Sequence, residues 1–229
     1  MNIVHFKSQL NFLRGSSIDK KYLRLCEKIN NKGLSMSSTL QKNFLFYVLK
    51  NLKKNKIKGD IVECGTWQGA NIILIRSLIK KKIHVFDTFD GMTEPDKNEY
   101  NFAEKKSAKY LLKKDKKKIN VNNYHTLSSI ETFHQNLKKF NCNKNIVIHK
   151  GDVRQTLKKK NNIRKISLLI CDTDFYDSSK IVLEKLYSKV ANGGIIIFDD
   201  YGMWSGQKKA VDNFFKSKKK HIFQIDAYA

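Results

Sequence analysis

Five short apolar runs of this chain each lead into an acid. Glu63 lies in Asp60-Ile-Val-Glu-Cys64, and Asp87 closes Ile83-His-Val-Phe-Asp87. Asp152 follows His149-Lys-Gly151, Asp172 and Asp174 follow Ile166–Cys171, and Asp199-Asp200 follow Gly194–Phe198. Acids number only 21 against 45 basic residues, so a repeated acid behind an apolar run is a pattern and not background. Carboxylates brought together must be solvated, paired or bound to a cation.

The first acid opens a glycine loop, Glu63-Cys-Gly65-Thr-Trp-Gln-Gly69. A dinucleotide loop reads G-x-G-x-x-G and offers backbone amides to a pyrophosphate. Here the pattern is E-x-G-x-x-x-G, and the leading acid would repel a pyrophosphate while suiting a cation. S-adenosylmethionine, with its sulfonium and ammonium groups, is such a ligand. Asp87 lies 24 residues after Glu63, where a carboxylate can accept both hydroxyls of a ribose. Gly151-Asp152 adds a third loop at the next strand. Taken singly, Glu63 also suits a helix cap.

Asp172, Asp174, Asp199 and Asp200 make a second group. Oxygen ligands from two neighbouring strand ends form an open site for a hard divalent cation such as magnesium. The competing reading has Asp199-Asp200 capping the next turn and Asp172 accepting backbone N–H groups. Trp67 and Trp204 follow strand ends and suit a pocket wall or the core equally. His84 lies inside an expected strand and His149 at a strand end, His5, His125, His134 and His221 show no partner spacing, and each reads as a structural or surface group.

The elements that carry these residues are legible from hydropathy. Leu40, Phe44, Tyr47, Val48 and Leu52 recur at helical spacing behind a Ser/Thr cap. Strands are expected at 60–64, 83–87, 145–149, 166–171, 194–198 and 221–225. Helices are expected at 70–80, 127–140, 177–190 and 207–215. Alternation of strand and helix predicts one α/β domain, a Rossmann-like doubly wound, mostly parallel sheet with helices on both faces. Ligands of such folds bind outside the carboxyl ends of the strands. Residues 1–35 read as an N-terminal helical extension, 36–229 as the main domain, and 92–123 as a lid insert within it.

Composition sets bounds. A chain of 229 residues with 25 aromatics supports one substantial domain and excludes collagen-like or low-complexity classes. No run of 18 apolar residues predicts a membrane span, and the polar N-terminus does not read as a secretory signal. Cys26, Cys64, Cys142 and Cys171 lack C-x-x-C spacing and read as reduced thiols of a cytoplasmic protein. The net charge of +24 comes from 40 Lys and only 5 Arg, the pattern of a solvated surface and not of specific nucleic-acid readout.

These stretches together resemble the macrocin O-methyltransferase family, the mycinamicin- and novobiocin-type sugar O-methyltransferases. The resemblance rests on Gly59–Gly69, Phe86–Asp96, Gly151–Leu157, Asp172–Ser178, Gly193–Tyr201 and Trp204–Asp212. It implies a class I S-adenosylmethionine-dependent methyltransferase fold and magnesium-dependent methylation of a hydroxyl on a sugar or sugar-containing small molecule. It also implies a homo-oligomer, since members of the family often assemble. By motif position, Asp172, Asp199 and Asp200 would hold the metal and Asp174 would be the general base. Glu63, Gly65, Thr66, Gly69, Asp87, Thr88, Asp152 and Asp172 would line the cofactor. Two rival readings are an oxidative, cephalosporin hydroxylase-like relative and a non-enzymatic basic nucleic-acid-binding protein.

Overall fold

The structure, a computed structural model, describes residues 18–115, 127–218 and 222–227. Among the described residues two helices come first, α1 (Lys20–Asn31) and α2 (Thr39–Lys54). The second begins at a reciprocal capping box in which Ser38 Oγ accepts from Gln41 N and Gln41 Oε1 accepts from Ser38 N. Then follow β1 (Asp60–Cys64), α3 (Ala70–Leu78) and β2 (Ile83–Asp87). A small antiparallel pair, β3 (Tyr100–Asn101) and β4 (Lys106–Ser107), leads into α4 (Ala108–Asp115). After α5 (Ile130–Lys139) come β5 (Ile146–Lys150), the short α6 (Val153–Thr156) and β6 (Ile166–Cys171). The series closes with α7 (Tyr176–Leu186), β7 (Val190–Phe198) and α8 (Ser205–Phe215).

The main sheet has the order β5-β2-β1-β6-β7, and every pairing in it is parallel. The three central strands are buried on both faces and read as largely apolar runs, while the edge strands β5 and β7 are partly exposed. Ile61, Ile83, Val85, Leu168 and Ile170 point into one cluster with α1, α2, α3 and α5. Val62, Cys64, Phe86, Leu169 and Cys171 point into the other, with α6 and α7. The strand order reverses at β1, which has β2 on one side and β6 on the other. The crevice at the carboxyl ends of β1 and β6 is therefore the topological switch point.

One sequence expectation changes. Among the described residues, 222–225 lie outside any strand, so the expected strand at 221–225 is not formed there. Its run Ile222-Phe-Gln-Ile225 does not alternate, Phe223 is exposed, and Asp226 instead accepts from Ser38 Oγ at 2.6 Å. The 92–123 insert carries regular structure: within 92–115 it forms β3, β4 and α4. Ala108, Leu111 and Leu112 pack there against Phe175 and Trp204, while residues 116–126 lie outside the described set. In the N-terminal segment, Ile18, Tyr22, Cys26 and Ile29 belong to the same buried cluster as α2 and α3. Residues 1–17 lie outside the described set.

All four cysteines are buried and free. Among the described residues no helix is long and apolar enough to cross a membrane.

Candidate active site

Backbone hydrogen bonds carry the ladder past the strand ends and lock the loops to one another. Gly65 N donates to Phe86 O at 2.8 Å, Asp172 N to Cys64 O at 2.8 Å, and Gly151 N to Asp87 O at 2.8 Å. At the switch point the approach is closest: a Cβ on Gly65 would stand 1.7 Å from Asp172 O, and its φ of +84° favours glycine independently. The first glycine of the loop is thus required by backbone contact.

The loop is organised by two carboxylates. Glu63 is fully buried; its Oε2 accepts from Thr66 Oγ1 at 2.7 Å and its Oε1 from Asn71 Nδ2 at 2.9 Å. Burial pushes its carboxyl up to about 7 against those two hydrogen bonds. Asp87 Oδ2 accepts from Thr66 N at 2.7 Å and Trp67 N at 3.0 Å, and Oδ1 accepts from Phe89 N at 2.7 Å. A carboxylate has about four acceptor positions, so Asp87 retains one. Thr88 Oγ1 donates to Gly91 O at 2.6 Å and shapes the turn after β2. Gly69, at φ +85°, is the N-cap of α3 and leaves room for Phe133. Asp152 caps α6 and grips Arg154, with Arg154 Nη2 to Asp152 Oδ2 at 2.6 Å. Burial raises the Asp152 carboxyl, but the Arg154 hydrogen bonds and charge outweigh it and hold the group below its ordinary value. Beside these turns lies a cavity of about 310 Å³ lined by Gln68, Phe89, Asp90, Leu127, Ser128, Ser129 and Thr132.

The ends of β6 and β7 bring the remaining acids together. One carboxylate oxygen from each of Asp172, Asp199 and Asp200 lies within 4.8 Å of the others. Asp200 is buried, and the other two are partly exposed. Burial first, then the neighbouring carboxylates, raise Asp172 and Asp200 well above the ordinary value. Asp199 rises to about 6 through burial and Asp226, opposed by Lys42. Asp174 stands beside the three at φ +58°, a left-handed conformation that Asp tolerates better than most residues. Its carboxyl is pushed up to about 7 by burial, then by Asp199 and Glu99, against a hydrogen bond from the Trp204 side chain. From Asp199 a cleft of about 590 Å³ opens between α2 and β7, with Gln41, Asn71 and Tyr201 among apolar walls.

Three residues given no role in the sequence reading hold this arrangement. Gln207, fully buried, donates from Nε2 to Cys171 O at 3.1 Å and accepts from Asp200 N at 2.9 Å, bracketing the ends of β6 and β7. Asn71 secures Glu63. Glu99 reaches in from the insert, its Oε1 accepting from Tyr176 N at 2.6 Å. A glutamine directly after Trp204-Ser-Gly is visible as a motif but not as a bridge. A glutamate in a Lys-rich insert gives no signal at all.

Residues 4–229 match the macrocin-O-methyltransferase family (TylF). The chain belongs to that family. It is an S-adenosylmethionine-dependent O-methyltransferase. It is 27% identical over 203 residues to the demethyldecarbamoylnovobiocin O-methyltransferase of Streptomyces niveus, a match covering 82% of this chain and 72% of that enzyme. It is 21% identical to the mycinamicin III 3''-O-methyltransferase of Micromonospora griseorubida over 69% of this chain and 61% of the relative. In fold it resembles the O-methyltransferase NovP, with a TM-score of 0.71 and 24% identity over 85% of this chain and 79% of NovP. The calicheamicin methyltransferase CalS11 aligns with a TM-score of 0.60 and 18% identity, covering 94% and 86% of the two chains.

Proposed function

We propose that this member of the macrocin-O-methyltransferase family methylates a hydroxyl of a sugar carried on a small molecule, with one magnesium ion and with Asp174 as general base. The observation that carries the reading is the meeting of Asp172, Asp199 and Asp200 within 4.8 Å beside Asp174. Three crowded carboxylates are unfavourable without a cation, and hard oxygen donors fit a hard divalent ion. Relatives named as novobiocin, tetracenomycin and mycinamicin O-methyltransferases support the acceptor class.

Bound at these residues, the ion supplies Lewis acidity toward the acceptor hydroxyl, and the cofactor supplies an electrophilic methyl group. The remaining work falls to the chain. A sugar hydroxyl is a poor nucleophile at neutral pH, and Asp174 would take its proton as the hydroxyl oxygen gains the methyl group and the methyl–sulfur bond breaks to leave a neutral thioether. The loop 65–69, pinned by Glu63 and Asp87, sets the direction of the donor. Its rigidity serves the in-line geometry that methyl transfer requires. Because Glu63 is fully enclosed, it acts through Thr66 and Asn71 and not by touching the donor. The last acceptor position of Asp87 is left for a ribose hydroxyl. Thr66, Thr88 and Asp152 shape the wall of the cofactor site, since each side chain is already engaged within its own turn. The cleft beyond Asp199 takes the part of the acceptor that does not react. Acids along this edge repel phosphate, which speaks against a nucleic-acid ligand despite the surface charge.

Two substitutions separate the metal from the base. Asp199→Ala should lose magnesium binding and turnover together. Asp174→Asn should keep both ligands while single-turnover methyl transfer falls by roughly 10²–10⁴. Metal titration paired with single-turnover kinetics measures both. Wild-type turnover in Asp174→Asn would remove it as the base.

A further inference from the structure

The insert between β2 and α5 is stitched to the catalytic loops. Tyr100 N donates to Ser205 Oγ at 2.8 Å, Phe102 N to Met203 O at 2.9 Å, and Asn101 forms an antiparallel bridge with Trp204. Glu99 heads this contact. It is 5% exposed, and its backbone is held on both sides, by Asp96 O and by Ala108 N. Its Oε1 accepts from Tyr176 N at 2.6 Å, the first amide of α7. Phe175, the N-cap of α7, provides no side-chain cap of its own. Glu99 therefore caps α7 from a distant part of the chain. A carboxylate at that position both fills an orphan amide and meets the positive end of the helix dipole. Gly206 leaves the space for it: a Cβ there would stand 2.5 Å from Glu99 Oε1 and 2.6 Å from Tyr176 N.

The capped amide closes the turn Asp174-Phe175-Tyr176, whose first residue sits in the left-handed region. The same turn is held from α8, where Gln207 N donates to Asp174 O at 3.0 Å. We infer that Glu99 is a positioning residue that aims the Asp174 carboxylate by clamping Tyr176 N, with Gly206 as the cleft that admits it. The inference rests on the reading of Asp174 as the base. Glu99 Oε2 is buried and has no hydrogen-bond partner among the described residues, so the clamp uses one oxygen only. Burial pushes the Glu99 carboxyl up to about 7, against the hydrogen bond from Tyr176 N. A neutral side chain with the same acceptor oxygen should therefore serve.

Three variants of the full chain test this: Glu99→Ala, Glu99→Gln and Gly206→Ala. The readouts are S-adenosylmethionine affinity, single-turnover methyl transfer and hydrogen exchange of the Tyr176 amide. Glu99→Ala should free the Tyr176 amide and slow methyl transfer by about 10²-fold, the scale of a misplaced catalytic group, with cofactor affinity unchanged. Glu99→Gln should restore both amide protection and rate. Gly206→Ala should reproduce the alanine phenotype although alanine is the better helix former. A wild-type rate in Glu99→Ala overturns the clamp, and so does a Glu99→Gln variant as slow as Glu99→Ala. A wild-type rate in Asp174→Asn overturns the base assignment instead, with Tyr176 exchange still reporting whether the clamp exists.

Discussion

Asp87 holds the glycine loop and, in the proposed reading, a ribose hydroxyl. Its carboxylate already takes three backbone amides from Thr66, Trp67 and Phe89, so removing it loosens the glycine loop as well as the ribose contact. Asp87→Ala should weaken S-adenosylmethionine binding at least tenfold, about 1.4 kcal/mol, by calorimetry. An unchanged affinity in the folded variant would remove Asp87 from the cofactor site. Acids of this kind were legible in the sequence because a strand end in a parallel sheet is the ligand edge, whichever residue stands there. Their partners were less so. Thr66 and Asn71 meet Glu63 through the turn and the first helical residues, which follow from local spacing. Glu99 meets Tyr176 across 77 positions, and nothing local announces it. The histidines show the same limit. His84 and His149 lie 65 residues apart without motif spacing, yet pairing of β2 with β5 puts their ring nitrogens 3.2 Å apart, with Asp60 on the far side of His84.

Among the elements, the loop after β1 is the most tightly constrained. A side chain at Gly65 would collide with the Asp172 carbonyl, which belongs to the backbone of the neighbouring strand end and cannot yield without breaking the β1–β6 ladder. Gly65→Ala should destabilise the fold by more than ~3 kcal/mol, combining overpacking with a left-handed φ. Denaturant melts measure this, and a midpoint near wild type would show that the crevice can open. The central strands were readable because burial on both faces leaves largely apolar runs, and the edge strands because Ile146, Ile148 and Ile195–Phe198 are apolar. Boundaries were less so: β7 begins at Val190 and runs through Asn192-Gly193-Gly194, which the sequence presents as a turn. The register shift against β6 between Ile166 and Leu168 absorbs those residues. The insert was opaque because its buried polar positions, Glu99 and Asn101, follow no helical or strand period, and only Ala108, Leu111 and Leu112 give an apolar signal.

At the scale of the molecule, the acidic edge couples stability to pH and, in the proposed reading, to metal. Glu63 and Glu99 rise to about 7 and Asp199 to about 6, against ordinary values of 4.5 and 3.8. The folded state thus binds protons more tightly than the unfolded one. Stability should fall as pH rises from about 4 through about 7 and level off above. His84 and His149, held below 6.5 by burial, act in the opposite sense. The diagnostic quantity is therefore the stabilisation given by magnesium, which needs deprotonated carboxylates. Denaturant midpoints with chelator and with magnesium should differ more at about pH 8 than at about pH 5. An equal increment at both would place any bound ion away from these acids. The most direct test is transfer of labelled methyl from S-adenosylmethionine to glycosylated small molecules, with and without chelator. The account predicts label on a sugar hydroxyl, lost in chelator and restored by magnesium. Full transfer in excess chelator, or oxidation of the acceptor without methylation, would contradict it.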